Sequence, residues 1–356
     1  MAVKRMAGGV GGGMDAVAGI DASGVSDWFE HHVPHARPPL CFALVSGGRS
    51  NLTYLVTDAA DRRWVLRRPP LSGLLPSAHD MAREYRIIAA LRSTPVPVPP
   101  AVGLCEDASV SGAPFFVMDH VDGDVLRDEA AVERALPPGE RGALSRSMVD
   151  TLVALHDVDP DAVGLGTLGR KEGYVERQLR RWRTQWEQSQ TRGSVLVDEI
   201  HERLASRIPV QGPARIVHGD YRLDNLLVSG AQVKAVLDWE LCTLGDPLAD
   251  LGLLLVYWAE PGDAFAALGT APTALPGFAR RSDVIEHYAA GSRRDLTEID
   301  YFVALGYWKL AIIAEGVWSR YRSGAYGEGD EGFDLFGAIV EPLLEAARDA
   351  TRRAGR

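Results

Sequence analysis

Between Leu40 and Arg68 the apolar positions come in short alternating runs broken by Gly, Asp and Arg, as "LCFALVSGGRSNLTYLVTDAADRRWVLRR". Alternation of this period predicts strand, Gly-rich turn, strand, turn, strand. The period then lengthens. In "SAHDMAREYRIIAALRS", Met81, Tyr85, Ile88 and Leu91 fall on one helical face, and Ser77 is the expected N-cap. "TPVPVPP" (94–100) reads as an extended connector, and "AVGLCED" and "FFVMDHV" as two more strands around the turn "ASVSGAP". The expectation is a five-stranded sheet carrying one main helix and closing near Val121–Gly123, with a short helix before it in "VSDWFEHHV" (25–33).

Beyond Asp124 the apolar spacing is mostly helical. Helices are expected over 128–136, 139–156, 173–189, 194–206, 247–259, 280–290, 298–322 and 334–353, with a β pair inside 215–238. The fold class is therefore α+β. The expected domains are a disordered Gly-rich extension over 1–24, a small β-rich lobe over 25–121 and a larger α-helical lobe over 122–356.

Composition narrows this picture. The 356 residues are 46% hydrophobic and 24% charged, ample for a core in each lobe. A net charge of −10 would repel phosphate backbones, so neither a nucleic-acid nor an acidic-membrane partner is expected. Cys41, Cys105 and Cys242 form no CxxC pair, which predicts buried thiols in a reducing cytoplasm. The opening "MAVKRMAGGVGGGMDAVAGI" lacks the apolar segment of a signal peptide. The apolar run Leu248–Trp258 contains Asp250 and is too short to span a bilayer, so a soluble protein is expected.

The candidate chemistry lies in "RIVHGDYRLDNLLV" (215–228) and "VKAVLDWE" (233–240). Asp220, Asn225 and Asp238 supply hard oxygen ligands that suit Mg²⁺ rather than zinc. Asn225 and Asp238 could hold the metal while Asp220 contacts a substrate hydroxyl. A polar strand–loop–strand with Asx turns would use the same residues. In the small lobe, the amides of "SGGRSN" (46–51) could approach phosphates, through Gly47, Gly48, Ser50 and Asn51. Val65 and Arg67 point to one face of the third strand, an apolar lining for a purine and a cation for phosphate. Glu84 is the natural partner of Arg67.

These motifs, in this order, resemble the aminoglycoside phosphotransferase (choline-kinase-like) branch of the protein-kinase-like fold. "HGDYRLDN" resembles the family's HGDxxxxN catalytic loop and "LDWE" its metal-binding segment, and the resemblance covers roughly residues 40–350. Through "SGGRSNLTYLV", "VLRRPP" and "AHDMAREY" the chain is similar to the subgroup fused to some acyl-CoA dehydrogenases. The resemblance implies a bilobal fold, ATP and Mg²⁺ as cofactors, and phosphoryl transfer to an alcohol group. It makes Asp220 the catalytic Asp, Asn225 and Asp238 the Mg²⁺ ligands, and His218 a brace for the loop. Arg67 takes the place where most kinases carry Lys, paired with Glu84. The Asp119 carbonyl and Val121 amide would bind adenine, and Asp246 (a helix N-cap before Pro247) and Asp250 would support structure. Arg is not geometrically equal to Lys, so a nucleotide-binding regulator with little turnover is the alternative.

Other features carry less. His31, His32 and His35 sit among prolines that break a ligand set. "GLGTLG" (164–169) follows no strand, so it lacks the dinucleotide-site context. His156 is expected to be a hydrogen-bonded packing residue. Val175, Leu179, Trp182 and Trp186 form an apolar stripe on "GYVERQLRRWRTQW", which also carries Arg177, Arg180, Arg181 and Arg183. Either this is a solvated basic face backed by core, or Arg180, Arg183, Trp182 and Trp186 line an acceptor pocket. In the second case the small-molecule hydroxyl acceptor is anionic or apolar, a hydroxyacyl-CoA for instance, rather than an aminoglycoside.

Overall fold

The structure is a computed structural model and describes residues 17–45, 51–71, 80–263, 270–324 and 334–355. The predicted Gly47, Gly48 and Ser50, and the expected cap Ser77, lie outside these residues. The chain divides into two compact units. One ends at Asp122 and takes in Lys234–Glu240; the other comprises Gly123–Val233 and the chain from Leu241.

The first unit opens with α1 (Ala22–His32), capped by the Asp21 side chain, which accepts from the Ser23 and Gly24 amides. Within the stretch expected to be loose, Ala18 and Gly19 are held by tertiary contacts. The Tyr54 hydroxyl donates to the Ala18 carbonyl, and the buried Arg68 guanidinium donates to the carbonyls of Gly19 and Ser111. His31 and His32 each turn Nδ1 onto their own helix, at the Asp27 and Trp28 carbonyls.

Next come β1 (Cys41–Leu44), β2 (Leu52–Thr57), β3 (Arg63–Arg68), α2 (Met81–Leu91), β4 (Ala101–Cys105) and β5 (Phe115–Asp119). The strands form one antiparallel sheet in the order β1-β2-β3-β5-β4. Alternation sorts its two faces. Trp64 and Leu66 of β3 and Phe115 of β5 face α1, where Trp28 meets Phe115 and Phe29 meets Trp64 edge-on at centroid distances of 5.1 and 5.8 Å. Phe116 points the other way, towards Tyr85 of α2. The N-cap of α2 is Asp80, which accepts from the Arg83 amide, not Ser77. Cys105 is buried as expected. Cys41, on the edge strand, is exposed.

The second unit contains α3 (Glu129–Ala135), α4 (Pro138–Asp157), α5 (Tyr174–Ser189), α6 (Val195–Ser206), β6 (Arg215–Val217), β7 (Leu226–Ser229) and β9 (Thr243–Gly245), while β8 (Gln232–Val236) begins in it and ends in the first unit. It closes with α7 (Leu248–Tyr257), α8 (Arg281–Ser292), α9 (Ile299–Arg322) and α10 (Asp334–Ala354). The expected β pair is two pairs. β7 joins β8, and β6 joins β9, a strand the sequence reading did not include. The segment 234–240, expected in the helical lobe, belongs to the first unit, where the Val236 amide donates to the Pro97 carbonyl.

The apolar run that could not span a bilayer is α7, packed against α9. Gly252 allows this approach, since a Cβ there would lie 2.6 Å from the Phe302 backbone. The N-cap of α7 is Pro247 rather than the expected Asp246, whose carboxylate one place earlier accepts from the Leu248 amide. No described helix is long and apolar enough to cross a membrane.

Candidate active site

In the first unit, β3 and α2 bring Arg67 and Glu84 together. Arg67 Nε lies 3.2 Å from Glu84 Oε2, and its Nη2 donates to Asp238 Oδ1 at 2.7 Å. The pair is desolvated, with side-chain exposures of 13% and 4%. Burial pushes the Glu84 carboxyl up to about 7, against the pull of Arg67 and of an Asn51 amide hydrogen bond at 2.8 Å. The nearby Asp238 and Glu240 add to the upward shift and hold the Arg67 guanidinium firmly charged. Asn51, predicted at the nucleotide, here braces Glu84.

Asp238 adopts φ +63°, the left-handed region that Asp and Asn tolerate better than most residues. A strained conformation held by its surroundings marks a position worth testing for function. Its Oδ1 takes Arg67. Val65 lies partly buried beside Arg67 on the face away from the aromatic core. Asp119 ends β5, with Val121 just beyond it.

In the second unit, β6 delivers the chain to His218 and a turn that only glycine fits. Gly219 has φ +86°, and a Cβ there would stand 2.9 Å from the Leu241 carbonyl. Asp250 of α7 reaches under this turn. Its Oδ2 accepts from the His218 amide at 2.6 Å and its Oδ1 from the Gly219 amide at 2.8 Å. A carboxylate in a buried apolar helix needs such partners. Behind it, His156 Nε2 lies 3.3 Å from Asp250 Oδ2, and Nδ1 lies 2.7 Å from the Tyr288 hydroxyl. Burial lowers the His156 pKa, so a neutral ring donates to Asp250 and accepts from Tyr288. His156 is a packing residue with a polar task. Burial alone would raise the Asp250 carboxyl, but its hydrogen bonds hold it below the usual carboxylate range.

Asp220 follows, its amide donating to His218 Nδ1 at 3.2 Å. Asn225 Nδ2 donates to the Asp220 carbonyl at 2.8 Å and to Oδ2 at 2.9 Å. Two bonds through Nδ2 orient the amide and leave Oδ1 to accept. Asn225 thus keeps a hard oxygen, the donor type that suits Mg²⁺. Replacing Gly219 by Ala should destabilise the protein by about 1–3 kcal/mol, because the loop must leave its φ or displace Leu241. Thermal unfolding checks this, and an unchanged Tm would contradict the turn's dependence on glycine.

Beside Gly219 opens a pocket with apolar walls from Tyr174, Trp182, Leu253, Phe302 and Leu305, and a cation from Lys309. Of the residues predicted on α5, Trp182 lines it. Trp186 is core at 3% exposure, with Val175 and Leu179. Arg180 is exposed, and Arg183 is ion-paired with Glu187 and Asp198. The pocket's cation therefore comes from α9. The signal for it was present, since Lys309 is the one charged residue between Asp300 and Glu315. "GLGTLG" is a packed loop between α4 and α5, with Leu165 and Leu168 buried.

Comparison with known proteins gives this geometry a family. The sequence profile of the phosphotransferase enzyme family matches residues 42–283, from β1 into α8. The chain belongs to the phosphotransferase enzyme family. It is 35% identical over 321 residues to acyl-CoA dehydrogenase family member 11 of Gallus gallus, covering 86% of this chain and 40% of that protein. Identity to family member 10 of Mus musculus is 33%, over 90% of this chain and 30% of that one. The chain thus spans less than half the length of these relatives.

A crystal structure of a Ralstonia eutropha protein, provisionally assigned as an aminoglycoside phosphotransferase, superposes with a TM-score of 0.79 at 32% identity, covering 94% of this chain and 99% of that one. The macrolide 2'-phosphotransferase MphH of Brachybacterium faecium shares the fold, with a TM-score of 0.55 at 19% identity over 92% of this chain and 97% of its own. The antiparallel sheet with its helices, followed by a helical unit, is the phosphotransferase form of the protein-kinase-like fold.

Proposed function

We propose that the protein is an ATP- and Mg²⁺-dependent small-molecule kinase that phosphorylates a hydroxyl. The observation that carries this reading is the His218–Asn225 loop, in which Asn225 and the His218 ring hold Asp220 while Asp250 pins the backbone. The acceptor oxygen would attack the γ-phosphorus of ATP, the β–γ bridging bond would break, and ADP would leave with its electron pair. Asp220 orients the acceptor hydroxyl and takes its proton. Arg67 supplies a cation for the phosphates. Mg²⁺, held by Asn225 and Asp238, would neutralise phosphate charge in the transfer.

For the acceptor, the pocket beside Gly219 makes no selection, since it has room for only a water-sized group. The names of the acyl-CoA dehydrogenase relatives support a hydroxyacyl thioester. ADP release should be fastest with hydroxyacyl thioesters in a panel that also holds aminoglycosides, choline-like amines and sugars, and should vanish in chelator. A kcat/KM for kanamycin-type compounds above that of every thioester would overturn the acceptor assignment.

A further inference from the structure

Lys309 lies on α9, beyond the stretch matched by the family profile. Its Nζ donates to the Gly219 carbonyl at 2.8 Å and stands 5.4 Å from the centre of the Trp182 ring. The Gly219 amide, on the other side of the same residue, is held by Asp250. Side chains from α7 and α9 thus grip both backbone polar groups of one residue. Glycine is the residue whose backbone turns most freely, and the carbonyl that Lys309 holds belongs to the peptide leading into Asp220. Fixing that peptide plane fixes the direction in which the Asp220 side chain leaves the chain.

The charges around Lys309 say what the ammonium is for. Burial lowers its pKa, while Asp220 and Asp250 pull it back up and Arg181 opposes them. Asp220 and Asp250 offset part of the cost of burying the ammonium, and the Gly219 carbonyl is the acceptor that Nζ reaches. A charge-assisted bond to a carbonyl is stronger than a neutral one, and the Trp182 face adds a cation–π seat.

Building on the kinase reading, we infer that Lys309 is a positioning residue, whose ammonium clamps the Gly219–Asp220 peptide from a seat on Trp182. Lys309→Met keeps the length and apolar stem but cannot donate. In the full chain its kcat should fall about tenfold to a hundredfold, the scale of a catalytic group displaced by up to an ångström. KM for ATP and for the acceptor should stay within about twofold, since ground-state binding is untouched. Lys309→Arg, which can still reach the carbonyl, should regain most of kcat. Hydrogen exchange at the Gly219 and Asp220 amides should quicken in the Met variant and not in the Arg variant.

If the Met variant fails to fold, Lys309→Gln, a neutral donor, should show an intermediate loss of kcat. An unchanged kcat, a change confined to acceptor KM, or unchanged exchange at both amides would overturn the clamp. Exchange needs no acceptor. If the wild type phosphorylates nothing and the amides still loosen, the kinase reading fails while the clamp stands.

Discussion

On substitution of Asp220 by Asn, turnover should fall by about 10²–10⁴-fold, the contribution of a positioned general base. Affinity for ATP should stay nearly that of the wild type. Asn keeps the shape, so the loop and its Asp250 anchors remain, while the group that takes the hydroxyl proton is gone. The Asn225 amide, which now donates to Asp220 Oδ2 at 2.9 Å, can donate to the new side-chain oxygen. The effect should therefore appear in kcat and not in Tm. Turnover within about threefold of the wild type would remove Asp220 from the catalytic role.

The second large effect concerns Asp238. With Asp238→Asn, the gain in ATP affinity that Mg²⁺ brings, about tenfold or more (1.4 kcal/mol) in the wild type, should be lost. Asn tolerates the φ of +63° at this position, which Ala does not, so the substitution removes charge with little strain. Arg67 keeps an oxygen acceptor at this position and its ion pair with Glu84, and loses one of its two carboxylate charges. Titration calorimetry in Mg²⁺ and in chelator reads the difference directly. Equal Mg²⁺ dependence in wild type and variant would free Asp238 from the metal.

Much of this was legible along the chain, and the reason is local. Trp64 and Leu66 against Val65 and Arg67 is a period-two pattern that a strand must obey, and the aromatic core and the Arg67–Glu84 pair lie where it places them. The stripe from Val175 to Trp186 is likewise buried along its whole length. What escaped depends on contacts between distant residues. Ala18 and Gly19 are held by Tyr54 and Arg68. Strand β9 exists because Thr243–Gly245 returns to β6.

The sequence also marked Asp250 as structural without showing that it holds two amides of the catalytic loop. For Lys309, a lone cation in an apolar helix was visible, but its partner lies 90 residues away. The Arg face of α5 was open to two readings along the sequence. Side chains that look poised for an anion are exposed or spent on Glu187 and Asp198.

In the proposed reaction Asp220, Asn225 and Asp238 move a phosphoryl group from ATP to an acceptor hydroxyl. Phosphorus NMR of ATP with the protein and a hydroxyacyl thioester, in Mg²⁺ and in chelator, follows that transfer directly. A phosphomonoester signal should grow in step with ADP and be abolished by chelator and by Asp220→Asn. ATP consumed with release of inorganic phosphate alone, at the same rate in wild type and Asp220→Asn, would contradict it.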